Sequence, residues 1–204
     1  MKIPGFTLEK YMKLRESKLS IISINCFAGF FYHRFGLPFL SPTINMWQTG
    51  ESFLKMVSNL KYNIGSPLIF NKVKYSKASK FIFPSYFLGD SELNMNHYNN
   101  FDEAEAKWYE RVKRINYDNL LIVMFTLFKE EAESFDSLPY SKKVCFVPFK
   151  SNLKSAFYIP CQTNERSELW GRVNKLADGR FPLYDLWDLA LYGKKTQRMD
   201  FDLM

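Results

Sequence analysis

The sequence predicts an α/β protein: one three-layer domain over residues 1–204 whose mixed, largely parallel sheet is flanked by helices. Three observations carry this expectation. Short, largely apolar runs lie over residues 19–25, 120–125 and 143–147, the second of them uninterrupted, and runs of that kind belong to strands buried on both faces. Segments with apolar residues at helical spacing lie between them, so strand and helix alternate along the chain. Finally, 204 residues at 47% apolar and 18% aromatic composition supply a sizeable core and exclude disorder.

Taken in order, Thr7 to Lys18 sets Leu8, Tyr11, Met12 and Leu14 among Lys10, Lys13, Arg15 and Lys18, the pattern of an amphipathic helix lying on the domain. The run from Leu19 then passes through Asn25-Cys26 into a helix that stops at Gly36, before Leu37-Pro38. Leu40 to Trp47 reads as a returning strand made irregular by Pro42. Thr49 is an N-cap for a helix from Gly50 to about Lys61, with Glu51 in its first turn. Lys72, Lys74, Lys77 and Lys80 mark a solvent-edge strand or hairpin that ends at Phe81-Ile82-Phe83-Pro84.

After the turn at Gly89-Asp90, Leu93, Met95 and His97 alternate with polar neighbours in a short strand. Asn100 with Glu103 opens the clearest helix, its apolar stripe running through Phe101, Ala104, Trp108, Val112 and Ile115. Leu120 to Thr126 is the strand most suited to a parallel sheet, Glu130 to Ser137 a short acidic helix, and Lys143 to Val147 another buried strand. Ala156 to Ile159 adds one more strand; Pro160, Asn164 and Gly171 break up the region after it; Phe181 to Tyr192 forms a terminal helix; the tail 193–204 frays.

The formal charge of +7 favours anionic partners, among them nucleotides, phosphorylated sugars and an anionic membrane face. Nucleic acid is set aside, because the basic residues are dispersed and no nucleic-acid-binding signature accompanies them. No apolar run approaches the roughly 20 residues of a transmembrane helix, and the N-terminus has no secretory signal, which points to the cytoplasm, with contact at a membrane surface kept open. Cys26, Cys145 and Cys161 are odd in number and far apart, and His33 and His97 are the two histidines, so neither a disulfide framework nor a metal centre is expected. No cofactor is implied, since dinucleotide, Walker, nucleophile-elbow and zinc-protease motifs are all missing.

Candidate site residues gather around the turn after Leu19. A helix start offers unsatisfied N–H groups and a positive dipole end, the usual place for a ligand in an α/β protein. Cys26 there is a candidate nucleophile with His97 as its base, against the plainer reading of a small buried residue. Ser23 and Asn25, with the backbone donors of Cys26 to Ala28, suit a phosphate or sugar hydroxyl, and Asn25 suits a plain N-cap equally well. Lys107, Arg111 and Arg114 share one helix face and suit a diphosphate, or simply water. His33 and Arg34 end the helix that begins near Cys26.

Three stretches together resemble a known family: Ser23-Ile24-Asn25-Cys26-Phe27-Ala28-Gly29 with Gly36-Leu37-Pro38 and Ser41-Pro42-Thr43; His97-Tyr98 leading to Trp108; and Arg111 with Arg114-Ile115-Asn116 and Asn119. They look like an uncharacterised bacterial domain-of-unknown-function family labelled exopolysaccharide biosynthesis protein and sometimes acetyltransferase. The resemblance implies a three-layer α/β fold and work on capsule or another surface polysaccharide, and it adds weight to Arg114 and Asn116 as ligand-binding residues. The expected function is a metal-independent transferase that binds an anionic, phosphorylated or nucleotide-activated donor. The alternative is a non-catalytic module that binds a glycan intermediate and docks on membrane synthesis machinery.

Overall fold

A computed structural model describes residues 6–76, 80–98, 100–177, 186–194 and 196. Its elements in order are α1 (Leu8–Glu16), β1 (Ser20–Ser23), α2 (Phe27–Phe35), α3 (Gly50–Ser58), α4 (Leu60–Gly65), β2 (Leu68–Ser76), β3 (Phe81–Leu88), β4 (Ser91–Asn94), α5 (Phe101–Val112), β5 (Leu120–Phe125), α6 (Lys129–Asp136), β6 (Lys143–Val147), β7 (Ala156–Tyr158), α7 (Arg166–Ala177) and α8 (Leu186–Tyr192).

The α/β class is observed, with the strands divided between two sheets. One is parallel, in the order β1-β5-β6-β7, and the other antiparallel, in the order β2-β3-β4. The division follows the residue pattern. The apolar runs of β5 and β6 are buried almost throughout and lie inside the parallel sheet, whereas β2 has no buried residue and folds back on β3 as one arm of a meander. Helices flank the strands in contacting pairs, α2 with α7 and α3 with α6.

Local chemistry explains the borders. Gly36 closes α2 with φ 59°, and Leu37 N–H donates to Tyr32 O at 2.9 Å, the left-handed close that glycine adopts without strain. Asn100 caps α5 by accepting from Glu103 N–H at 3.1 Å. The outward donors of edge strand β1 are met by side chains: Ile21 N–H donates to Tyr32 Oη at 2.8 Å and Ser23 N–H to Thr43 Oγ1 at 3.0 Å. One cluster of buried side chains runs from Leu14 to Ala190 and includes Phe27, Phe31, Phe146 and Trp108.

Several expectations change. Leu40 to Trp47 is no strand: Pro42 has no N–H, Asn45 has φ 62°, and Trp47 makes a single bridge to Asn94. The helix expected over Gly50–Lys61 breaks at Asn59, and α4 begins there. His97 lies in a turn after β4 rather than in the strand. The region taken as broken by Gly171 is helix α7, which buries Leu169, Val173, Leu176 and Ala177 at helical spacing. The expected terminal helix is helical over Leu186–Tyr192; Lys77, residues 181–185 and most of the tail lie outside the described residues.

Candidate functional site

Backbone hydrogen bonds at one end of the parallel sheet assemble the site. β1 and β5 are parallel neighbours, so the residues after Ser23 and the end of β5 at Phe125 emerge side by side. Gln48 N–H donates to Ile24 O at 2.9 Å, laying the segment before α3 along the exit of β1. Its neighbour Trp47 exchanges both backbone hydrogen bonds with Asn94, at 2.9 and 3.0 Å, which ties the end of β4 to the same place. Asn96 and His97 follow two and three residues later. Finally, an Arg166 Nη donates to Gln48 O at 3.2 Å and docks the start of α7. Trp47 and Gln48 thus join the two sheets and α7 through their backbones.

These ties enclose a cleft of about 450 Å³, within the roughly 300–1,000 Å³ usual for small-molecule sites. Phe30, Trp47, Phe125 and Trp170 form apolar walls, Trp170 lying near-parallel to Phe125 with centroids 5.8 Å apart. Asn25, Cys26, Asn96, His97, Arg166, Ser167 and Asn174 supply the polar surface. Aromatic planes with a few convergent amides are the general form of sites for ring-shaped polar ligands. The location, outside the carboxyl ends of parallel strands, is also the general one for α/β proteins.

Two of the amide oxygens are unengaged. The Oδ1 atoms of Asn96 and Asn174 are shut off from solvent and have no hydrogen-bond partner among the described residues. A buried polar atom without a partner costs about 1–3 kcal/mol, so a ligand that satisfies it gains that much back. Arg166 is set as a cation over Phe125, its guanidinium carbon 5.0 Å from the ring centroid. Desolvation lowers its pKa and the nearby Glu131 partly restores it; the group stays charged.

Two titratable groups complete the wall. His97 is exposed at the rim of the cleft, where partial desolvation lowers its pKa from the ordinary 6.5, so the imidazole is neutral at pH 7 and able to accept a proton. Cys26 behaves otherwise: burial pushes its thiol up to about 11, beyond what the Met46 and Asn45 backbone contacts return. At neutral pH it is a thiol rather than a thiolate, which gives it little nucleophilicity.

Residues 2–185 match the family model described as Domain of unknown function (DUF1919). The chain belongs to this family. It is also similar to an uncharacterized protein of Haemophilus influenzae (strain ATCC 51907 / DSM 11121 / KW20 / Rd), with 33% identity over 152 residues, 72% of this chain and 70% of that protein. Neither description carries a reaction or a substrate.

Of the residues singled out in the sequence of this family member, the fold brings Asn25, Cys26 and His97 together in the cleft wall. Ser23, Arg111, Arg114 and Asn116 are not in that wall. Ser23 Oγ donates to Asn25 O at 2.6 Å and accepts from Ala28 N–H at 3.2 Å, while Asn25 Oδ1 accepts from Phe27 N–H at 3.3 Å. The N–H groups of Phe27 and Ala28, read as donors for a phosphate, are therefore already used inside the protein. Arg111 ties Tyr98 Oη at 2.6 Å to Ile44 O at 3.2 Å, clamping the loop beside His97. Arg114 and Lys107 pair with Glu110 on the exposed face of α5. Asn116 fixes a turn by accepting from Asp118 N–H and donating to Lys18 O and, through its backbone, to Ser20 Oγ. His33 is exposed in the last turn of α2.

Sequence reasoning missed Asn96 and the α7 face of Arg166, Ser167, Trp170 and Asn174. A signal was present for α7, because Leu169, Val173, Leu176 and Ala177 repeat at helical spacing across Gly171. Asn96, in a loop, carried none. Among the described residues no three His, Cys, Asp or Glu side chains are grouped to hold a metal ion.

Proposed function

We propose that the cleft is the active site of a transferase acting on a precursor of a bacterial surface glycan, exopolysaccharide or capsule, with His97 moving the proton. The observation that carries this reading is a neutral imidazole in the wall of an aromatic cleft at the carboxyl ends of β1 and β5. An acceptor hydroxyl in the cleft gives its proton to His97 as its oxygen bonds to the transferred group. The leaving group departs with its electron pair as an anion, for which Arg166 supplies the charge. Cys26 serves as wall, and Arg111 as a positioning residue for the His97 loop. The surface-glycan setting rests on the sequence resemblance.

The test is turnover of a panel of activated sugar and acyl donors with glycan acceptors. His97→Ala loses about 10²- to 10⁴-fold in turnover while its unfolding curve and its donor-induced thermal shift match the wild type. In the wild type, the acid limb of the rate profile falls at a pH below 6.5, because the folded histidine protonates at lower pH than a free one. Turnover unaffected in His97→Ala removes the histidine from the mechanism.

One observation favours a non-catalytic reading: with the Cys26 thiol near 11, the described residues of the cleft wall give His97 neither a carboxylate nor a thiolate. Binding of glycan intermediates by the wild type, with no turnover of any donor, establishes the binding-module alternative.

A further inference from the structure

We infer that the ligand of this cleft is a sugar ring carrying a single anionic group, with the anion on Arg166 and the ring hydroxyls on Asn96 and Asn174. The inference deepens the active-site reading and rests on it. A guanidinium has five N–H donors, and the described hydrogen bond of Arg166 is the one to Gln48 O at 3.2 Å. The remaining donors have no hydrogen-bond partner among the described residues, and Arg166 lines the cleft. Phe125 under the guanidinium and the Gln48 carbonyl fix its plane, which preorganises it for the two oxygens of a phosphate or carboxylate.

The count of charges sets the class. Lys74, the cation over the Trp47 ring, is already neutralised by Glu92 at 2.8 Å and bonded to Asn94 Oδ1 at 2.7 Å. Lys107 and Arg114, the side chains that suited a diphosphate in the sequence, pair with Glu110 instead. Among the described residues Arg166 is the cation the wall presents, exposed at the mouth of the cleft with Glu131 offsetting part of its charge, so one anionic group is compensated there and a second has no cation facing it. The amides set the rest. Each Asn presents a donor and an acceptor side by side, as a hydroxyl does, and the buried oxygens of Asn96 and Asn174 need hydrogen on the ligand. The aromatic walls take the apolar faces of the ring.

The experiment is titration calorimetry of the full chain with hexose 1-phosphates of gluco, galacto and N-acetylglucosamine configuration, the matching free sugars, the matching uridine-diphosphate sugars, and inorganic phosphate. At least one hexose 1-phosphate binds more tightly than its free sugar, its uridine-diphosphate sugar and inorganic phosphate. Arg166→Gln weakens that ligand roughly 10- to 100-fold and brings it level with the free sugar, whereas Asn174→Ala weakens phosphorylated and free sugar alike. Turnover of His97→Ala is measured apart from this titration, so a failed catalytic role and a failed ligand class are read separately. Preference for the diphosphate donors, a preference for phosphate that survives Arg166→Gln, equal binding of inorganic phosphate, or no binding across the panel each overturns the inference.

Discussion

Ser23 illustrates how much one hydroxyl can hold. It is buried, it donates to Asn25 O and it accepts from Ala28 N–H, so it shapes the turn from β1 into α2 and sets the backbone of Asn25 at the cleft. Ser23→Ala leaves two buried backbone groups unmet, at a cost of about 1–3 kcal/mol. The urea midpoint should fall accordingly, with the denaturant slope unchanged. An unaltered midpoint would show that water replaces the hydroxyl. The sequence marked Ser23, Asn25 and Cys26 as one group, but it had no means of telling ligand donors from donors spent on the fold. That difference lies in side-chain rotation within the turn, where Asn25 Oδ1 takes Phe27 N–H and Ser23 Oγ takes Ala28 N–H.

At the scale of elements, the strands were legible because burial on both faces demands unbroken apolar runs, as in β5 and β6. The clearest predicted helix, α5, was legible from its cap and stripe. What sequence could not supply was the loop geometry after β4 and before α3, since a bridge such as Trp47 with Asn94 depends on pairing between distant segments. Helix α7 was lost because Gly171, with Pro160 and Asn164 before it, reads as a breaker. Glycine weakens a helix without forbidding it, and α7 keeps its shape by burying Leu169, Val173 and Leu176. A Cβ at Gly171 meets no heavy atom within 4 Å. Gly171→Ala therefore stabilises the protein by about 0.5–1 kcal/mol, raising the melting temperature and the urea midpoint. A lowered midpoint would reveal a contact made by the Cα hydrogens themselves.

Across the whole molecule, three carboxylates share one sign of response to pH. Backbone N–H groups of Gln162 and Thr163, the Thr163 hydroxyl and Arg172 hold Glu168 at about 2. For Glu92, desolvation is outweighed by Lys74 and Asn71, and for Asp136 it is outweighed by Ser155 and Lys143, so both also sit below their ordinary values. Each group binds its proton more readily in the unfolded chain. Its contribution is thus fully present above about pH 4.5 and is lost as pH falls toward 2. Urea midpoints measured at pH 7, 5 and 3 should fall steeply over the last step, and Glu168→Gln should lie below the wild type at pH 7 by a gap that narrows at pH 3 without closing. Equal slopes for the two proteins would remove Glu168 from the acid response. Because Glu168 follows Arg166 and Ser167 in the first turn of α7, the same acid step should loosen the cleft.

The outer edge of β1 carries one further consequence. Tyr32 and Thr43 occupy its outward N–H groups, so this border of the parallel sheet cannot serve as a template for a strand from another molecule. On the long edge strand β2 a hydroxyl meets the first N–H, that of Leu68, which donates to Tyr109 Oη at 3.2 Å, and further along Lys72 stands among Phe70, Val73 and Tyr75. Charge guards one margin of the protein and hydroxyl groups guard the other. The hydroxyl guard does not weaken with salt, whereas the lysine guard is screened by it. Clumping of this protein at high ionic strength would therefore begin at β2, and never at β1 while Tyr32 keeps its hydroxyl.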